Sequence, residues 1–454
     1  MKVGIDALAF DIPKIYLPIE TLAINRNIEP DKLTKGLGLL RMSCPDVHQD
    51  AVVLAANALW KLIENEKLDP RNIGRIYIGT ESSVDAAKPI ATYLIEILEE
   101  KLKAQYGEDS LNRCDALDMT FACIGGVDAL QIMLDWVRVN PEKQGIVICS
   151  DIAKYDLGSG GEYTQGAGAV ALLIKSEPRL LSFEKEVGVS TQGVFDFFKP
   201  RRFFDKKEIT QQAGNPVWMG VEEEEVEIFK EQPIFDGQYS NQCYQDRVKE
   251  AYQHFKEITN TTDALFDRWQ SILMHLPYAF QGRRMFPEIY ALENKIELPE
   301  LPEEYTQKLK EVAKSEGYRK FVADKLAPAE IASSNVGNIY TGSIFLGMIS
   351  MLCHAAENHI EITDTKLGFI SYGSGSKSKV FEATVEQNWK ATLQKVSLDT
   401  ILKKTEAITM ETYTNLHKKM QKESIIQPKG EFILTGIEKE NPLKLGARYY
   451  KWVE

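Results

Sequence analysis

No stretch of this sequence approaches the ~20 apolar residues needed to cross a bilayer, so a membrane-spanning helix is excluded. The six cysteines (44, 114, 123, 149, 243 and 353) contain no CxxC and follow no regular spacing. That argues against a zinc ribbon and against a disulfide framework. The six histidines form no HExxH or HxxxH pattern, and His354 and His359 read as structural or surface residues, so no metal site is expected. There is no GxxxxGK[ST], hence no P-loop, and "SGGEYTQGAGAV" (159–170) lacks the GxGxxG spacing of a dinucleotide site. No basic tract interleaves with aromatics, which leaves no footprint for a nucleic-acid partner. "MKVGIDALAFDIP" reads as a first strand and lacks the apolar core and cleavage site of a secretory leader. Reduced thiols without a leader point to a cytoplasmic protein.

What is present is a large apolar inventory. The chain has 454 residues, 44% of them hydrophobic, with a net charge of −12. This length suits two fused halves better than one ordinary domain. The acidic run Glu222–Glu225 reads as a solvated face. "RIYIGT" (75–80), "GIVICSD" (145–151) and "GAGAVALLIK" (166–175) read as buried strands, and Leu130, Met133, Leu134 and Val137 recur at helical spacing between them. Alternating strands and helices predict an α/β fold. The second half repeats the plan: "SILMHLPYAF" (271–280) as strand and loop, "SSNVGNIYTGSIFLGMISMLCH" (333–354) as glycine-bearing loop and apolar helix, "KLGFISYGSG" (366–375) as strand and glycine turn. The boundary is placed at 178, giving halves 1–178 and 179–454, with insertions near 184–262 and 292–330.

Five places can carry chemistry. In "MTFACIGGVDALQ" (119–131), Cys123 stands where a strand-like run meets two glycines and a helix. It is either a small buried side chain or a nucleophile whose thiolate the helix N-terminus favours. Glu81 follows a strand, where ligands gather in α/β sheets; it can be a general base or a helix cap. His275, in "MHLPY", ends another strand and can donate to a carbonyl or be a satisfied core histidine. Asn338 in "SNVGNIYTG" and Ser374 in "SYGSG" lie in glycine turns, whose N–H groups can face a ligand. Each has a purely structural explanation alone. Together, a thiol, a carboxylate, an imidazole and turn amides are the parts for acyl transfer through a thioester with carbon–carbon bond formation.

"GTESSVDAAKP", "FACIGG", "SDIAKY", "SGGEYTQGAGAVALLI", "FDFFKP", "PIFDGQYSNQCY", "MHLPY", "VGNIYTGS" and "SYGSGS" occur in an order that resembles the hydroxymethylglutaryl-CoA synthases, above all their bacterial form, over nearly the whole chain. The resemblance implies a thiolase-like α/β fold, a duplicated five-layer αβαβα architecture of two similar halves, and a homodimer. It implies that acetyl-CoA and acetoacetyl-CoA are substrates, with no permanently bound cofactor, in the mevalonate pathway. Cys123 would be acetylated, Glu81 would deprotonate the acetyl methyl, and His275 would bind and polarise acetoacetyl-CoA. Tyr155, Thr164, Asp196, Ser240, Asn338 and Ser374 would line the acyl pocket or hold its network. Pro277 belongs to the same substrate-binding set. The Cys123 N–H and a turn N–H near Ser374 would form the oxyanion hole. Glu81 needs a partly dry pocket to act as a base, and the helix after Cys123 should lower the thiol pKa. The family often carries a lysine where Phe280 stands; the CoA phosphate contact is moved to Arg284, with Lys199, Arg201 and Arg202 as additions. The same residues would also suit a β-branching synthase acting on a carrier-protein-bound β-ketone. A non-catalytic acyl-CoA-binding scaffold of the same fold is a further reading.

Overall fold

A computed structural model describes residues 1–211 and 221–454. The apolar runs become the strands β1 (Val3–Asp11), β2 (Ile73–Gly79), β3 (Asp115–Met119), β4 (Gln144–Ala153) and β5 (Gly166–Ser176). The second half supplies β6 (Leu181–Phe183), β7 (Gly188–Thr191), β8 (Trp269–Met274), β9 (Lys366–Gly373) and β10 (Lys377–Val385). They form one ten-stranded sheet in which nine strands follow the order β8-β9-β10-β6-β1-β5-β4-β2-β3 and the tenth, β7, lies beside β10.

The path contains one plan twice. β2 runs parallel to β4, β4 antiparallel to β5, and β5 antiparallel to β1. Likewise β8 runs parallel to β9, β9 antiparallel to β10, and β10 antiparallel to β6. The two sets meet where β1 pairs with β6.

The main helices are α1 (Ala51–Glu66), α2 (Ile90–Tyr106), α3 (Gly125–Val139), α4 (Gly237–Ile258), α5 (Ala327–Val336) and α6 (Ser343–Glu357). Burial sorts them into layers. Val147 and Cys149 of β4 face a central cluster with α3, α6, Phe369 and Phe381, whereas Ile146 and Ile148 face a cluster with α1 and α2. On the far side, Ile370 and Tyr372 of β9 pack against Cys243, Val248 and Phe255 of α4. Helix, sheet, helix, sheet, helix is the five-layer arrangement. Strands covered on both faces are apolar throughout, and this is why the runs do not alternate. α6 is buried on almost every side, as a helix between two sheets must be.

Two expectations on organisation are revised. The stretch 184–262 is not all insertion, because β7 and α4 are core elements; α4 buries Cys243, Tyr244, Val248, Ala251, Tyr252 and Phe255 on one helical face. Residues 212–220 of that stretch lie outside the described residues. And 333–336 is the last turn of α5, so the glycine-bearing loop before α6 is only 337–342.

Candidate active site

Both copies of the plan bring a polar residue past the second strand of the repeat, and both bend the chain sharply before the central helix. Ala122 (φ 41°) precedes α3 by three residues, and Tyr340 (φ 40°) precedes α6 by three. A side chain in the left-handed region costs about 1–3 kcal/mol, which packing around it must offset. The bend places Cys123 at the floor of a cavity of about 250 Å³ that is also lined by His275.

Glu81 lies two residues past β2, and His275 directly follows β8. The Cys123 thiol donates to Glu81 Oε1 at 2.9 Å, and the Glu81 side chain is only 5% exposed. The dry setting expected for this base is present. Glu81 is not a helix cap: Asp118 takes the Ile90 and Ala91 N–H groups at the start of α2.

The thiol departs from expectation. Burial first, then the neighbouring Glu81 carboxylate, pushes the Cys123 thiol well above its ordinary value. The helix terminus does not overcome burial and the carboxylate, so the resting residue is a thiol hydrogen-bonded to its base. The two glycines also act differently than expected. A Cβ on Gly126 would meet Cys149 Sγ at 2.3 Å and the Thr341 carbonyl at 2.9 Å; one on Gly125 would meet the Met119 carbonyl at 2.9 Å. They let α3 close onto the strand ends and the loop before α6, and they do not make room for an acyl chain.

Asp151, past the β4–β2 pairing, was missed by the sequence reading although "SDIAKY" contains it. It is fully buried and accepts from the Glu81 N–H (2.7 Å), Ser82 Oγ (2.9 Å) and the Thr341 N–H (3.1 Å). It therefore ties the Glu81 turn to the loop of the other half. Burial, then Glu81, pushes its carboxyl up to about 7.

The His275 ring is buried, and burial lowers its pKa to about 3, so the imidazole is neutral in ordinary buffers. Nδ1 lies 2.7 Å from Ser343 Oγ, which accepts from the Leu276 N–H at 2.9 Å. A hydroxyl that accepts from Leu276 and donates to Nδ1 uses every proton and leaves Nε2 as the N–H end. Tyr244 donates to the His275 carbonyl at 2.6 Å and stacks on Tyr372 at 4.4 Å.

Tyr155, Thr164, Ser240, Pro277, Arg284, Asn338 and Ser374 all line the cavity. Asn338 Oδ1 accepts the Tyr340 N–H (2.8 Å), holding the strained turn. Asp196 supports from behind, accepting from Tyr372 Oη (2.6 Å) and the Gly375 N–H (2.7 Å). The Gly375 amide is therefore already committed and is not available to an oxyanion. Arg284 lines the cavity with Leu37, Tyr163 and Tyr278; its guanidinium lies 5.6 Å over the Tyr278 ring and donates to the Gly36 carbonyl at 2.9 Å. Arg283 is instead ion-paired to Glu330 and lies 3.8 Å over the Phe280 ring. Phe280 is thus a packing residue.

The basic patch is corrected too. Lys199 is not at a phosphate site: its ammonium lies 3.0 Å from Glu81 Oε2. Arg201 pairs with Glu227 at 3.3 Å, and Arg202 donates to the Gln232 carbonyl at 3.3 Å. Lys199, Tyr244, Tyr340, Phe197 and Phe235 were not named for the acyl site. The aromatics in "FDFFKP" and "PIFD" are the signal that could have found the last two.

A thiol in contact with a carboxylate can take an acyl group, and a neutral imidazole across the cavity can polarise a second carbonyl. The class so defined is a condensing acyltransferase of thiolase-like fold. Comparison with known proteins narrows it. Residues 1–178 match the model of the hydroxymethylglutaryl-coenzyme A synthase N terminal region, and residues 225–451 that of the C terminal region. The chain is 30% identical to the hydroxymethylglutaryl-CoA synthase of Haloferax volcanii, over all of both chains. It is 31% identical to that of Enterococcus faecalis, over 87% of this chain and 86% of the relative. A solved structure described as MvaS in complex with 3-hydroxy-3-methylglutaryl coenzyme A superposes with TM-score 0.81 at 28% identity, covering 100% of this chain and 99% of that one. The chain belongs to the hydroxymethylglutaryl-CoA synthase family.

Proposed function

We infer that this enzyme condenses acetyl-CoA with acetoacetyl-CoA and water to give 3-hydroxy-3-methylglutaryl-CoA and CoA. The observation that carries this reading is the 2.9 Å contact of Cys123 Sγ with Glu81 Oε1 on the floor of a cavity that His275 also lines. The thiol proton passes to Glu81 as Sγ attacks the acetyl carbonyl, and returns to the departing CoA sulfur. The Glu81 carboxylate then takes a proton from the acetyl methyl, and the resulting carbanion adds to the ketone of acetoacetyl-CoA. His275 Nε2–H donates a hydrogen bond to the developing alkoxide, and the proton that Glu81 took from the methyl goes on to that oxygen, which leaves a neutral hydroxyl and restores the carboxylate. Water finally cleaves the Cys123 thioester. Tyr155, Thr164, Ser240, Pro277, Asn338 and Ser374 bound the acyl region, Asp196 supports it, and the Arg284 cation in the cavity wall suits the CoA phosphates. The cofactor reading follows: CoA thioesters come and go as substrates, and the chain's own groups supply the chemistry.

The division into halves 1–178 and 179–454 fits the doubled strand plan. A homodimer is supported by β3, the terminal strand of the path, which leaves one edge to pair with a second copy and carries Leu117 at 44% exposure. Six free cysteines, five of them buried, suit a reducing cytoplasm, and the product suits the mevalonate pathway. No helix among the described residues is long and apolar enough to cross a membrane.

The test is turnover with two acceptors. Release of CoA and formation of hydroxymethylglutaryl-CoA from acetoacetyl-CoA is the expected result. Turnover confined to a carrier-protein-bound β-ketone would instead assign the β-branching reaction.

A further inference from the structure

Lys199 is placed where the condensation has no named role for it. It follows the short pairing of Phe197–Phe198 with Ile234–Phe235, a hairpin whose Phe197 and Phe235 line the cavity. Its side chain is 12% exposed, and its ammonium lies 3.0 Å from Glu81 Oε2, 3.4 Å from the Glu81 carbonyl and 4.3 Å over the Tyr340 ring. Glu81 thus has one carboxylate oxygen on Cys123 and the other on Lys199.

The groups facing this carboxylate come from every element around it. Cys123 precedes α3, Asp151 bonds the Glu81 amide from the end of β4, and the Tyr155 and Tyr340 hydroxyls stand beside it. His275 lies across the cavity and is neutral. Among these groups Lys199 is the cation. It is also the neighbour that draws the Cys123 thiol toward its ionised form, against burial, Glu81 and Asp151. We propose that Lys199 is a positioning residue for the Cys123–Glu81 proton transfer: it holds Oε2, fixes the rotation of the carboxylate with Oε1 on the sulfur, and supplies the counter-charge when the proton moves. As the thiol proton goes to Oε1, negative charge leaves the carboxylate and appears on sulfur, and the buried ammonium balances it in both states. This rests on the reading of Cys123 as the acyl acceptor and Glu81 as its base.

Without the ammonium, the single negative charge that passes between carboxylate and sulfur has no counter-charge in this dry site, and the ionised forms are disfavoured. The experiment follows acetylation of Cys123 by rapid quench and intact-protein mass spectrometry from about pH 6 to about pH 9, for wild type, K199M and K199R. Expected for K199M is acetylation about ten-fold slower or more at neutral pH, with the acidic limb of the profile moved up by about one pH unit or more and KM for acetyl-CoA changed less than the rate. K199R should restore the wild-type limb. If methionine there prevents folding, by circular dichroism, K199Q carries the same expectation. A K199M or K199Q profile that superposes on wild type, or a K199R profile displaced as far as that of K199M, overturns the proposal. A wild type that takes no acetyl group at all overturns the underlying reading instead, so the two failures are told apart.

Discussion

The two copies of the strand plan end in the same kind of turn but hold opposite electrostatics. At the first, Glu81, Lys199 and a proton-bearing Cys123 form a chain of charged and ionisable groups clamped by Asp151. At the second, His275 is neutral, held by Ser343 and Tyr244 through hydrogen bonds alone. A duplicated scaffold has divided the work: one end moves protons and takes the acyl group, the other presents a fixed donor to a carbonyl. The left-handed residues Ala122 and Tyr340 show how far the repeat extends in the backbone, even though the side chains have diverged.

The sharpest way to break this comparison is to disable each end separately. Glu81→Gln should slow both acetylation of Cys123 and condensation, by about 10²–10⁴-fold, as expected for loss of a general base. His275→Gln should still acetylate Cys123 at near wild-type rate but condense with a loss of similar order. Stopped-flow and quench measurements of the two half-reactions decide it. Equal loss of both half-reactions in His275→Gln would contradict the division.

The second prediction concerns pH. The His275 pKa falls from an unfolded value of 6.5 to about 3 because burial disfavours the imidazolium. A lowered folded value means the unfolded chain binds the extra proton first, so this stabilisation is full above 6.5 and is lost as pH falls toward about 3. Melting curves between those limits should fall more steeply for wild type than for His275→Gln. Parallel curves would mean that the ring is not held neutral.

Much of both ends was legible in the sequence, because the nucleophile and strand-end carboxylate of the first and the His-x-Pro of the second each leave a local mark. The strands at 73–79, 144–153 and 166–176 were equally plain from their unbroken apolar runs. What could not be read was anything decided by distance across the fold. The Cys123 thiol state turns on burial and on Glu81, 42 residues away, and these outweigh the helix terminus visible beside it. Lys199 looked like part of a basic run, and only the folded hairpin turns it inward. Asp151 carried a strand-end signal, but its role as a clamp depends on Thr341 in the other half. The glycines after Cys123 suggested space; the packing against Cys149 and Thr341 reveals contact instead.

That last point gives the smallest expected effect. Gly126→Ala should destabilise the protein by about 1–3 kcal/mol through overpacking between the halves, with folded enzyme retaining its order of half-reactions. Urea denaturation of the variant measures it, and an unchanged midpoint would mean that the α3 terminus has slack.

The central claim is that the charged end carries the acyl group on Cys123. Intact-protein mass spectrometry after mixing with acetyl-CoA, for wild type and Cys123→Ser, followed by an acetoacetyl-CoA chase, tests it directly. The account predicts one acetyl adduct on wild type alone, discharged by the chase as hydroxymethylglutaryl-CoA forms. No adduct on wild type, or an equal adduct on Cys123→Ser, would contradict it.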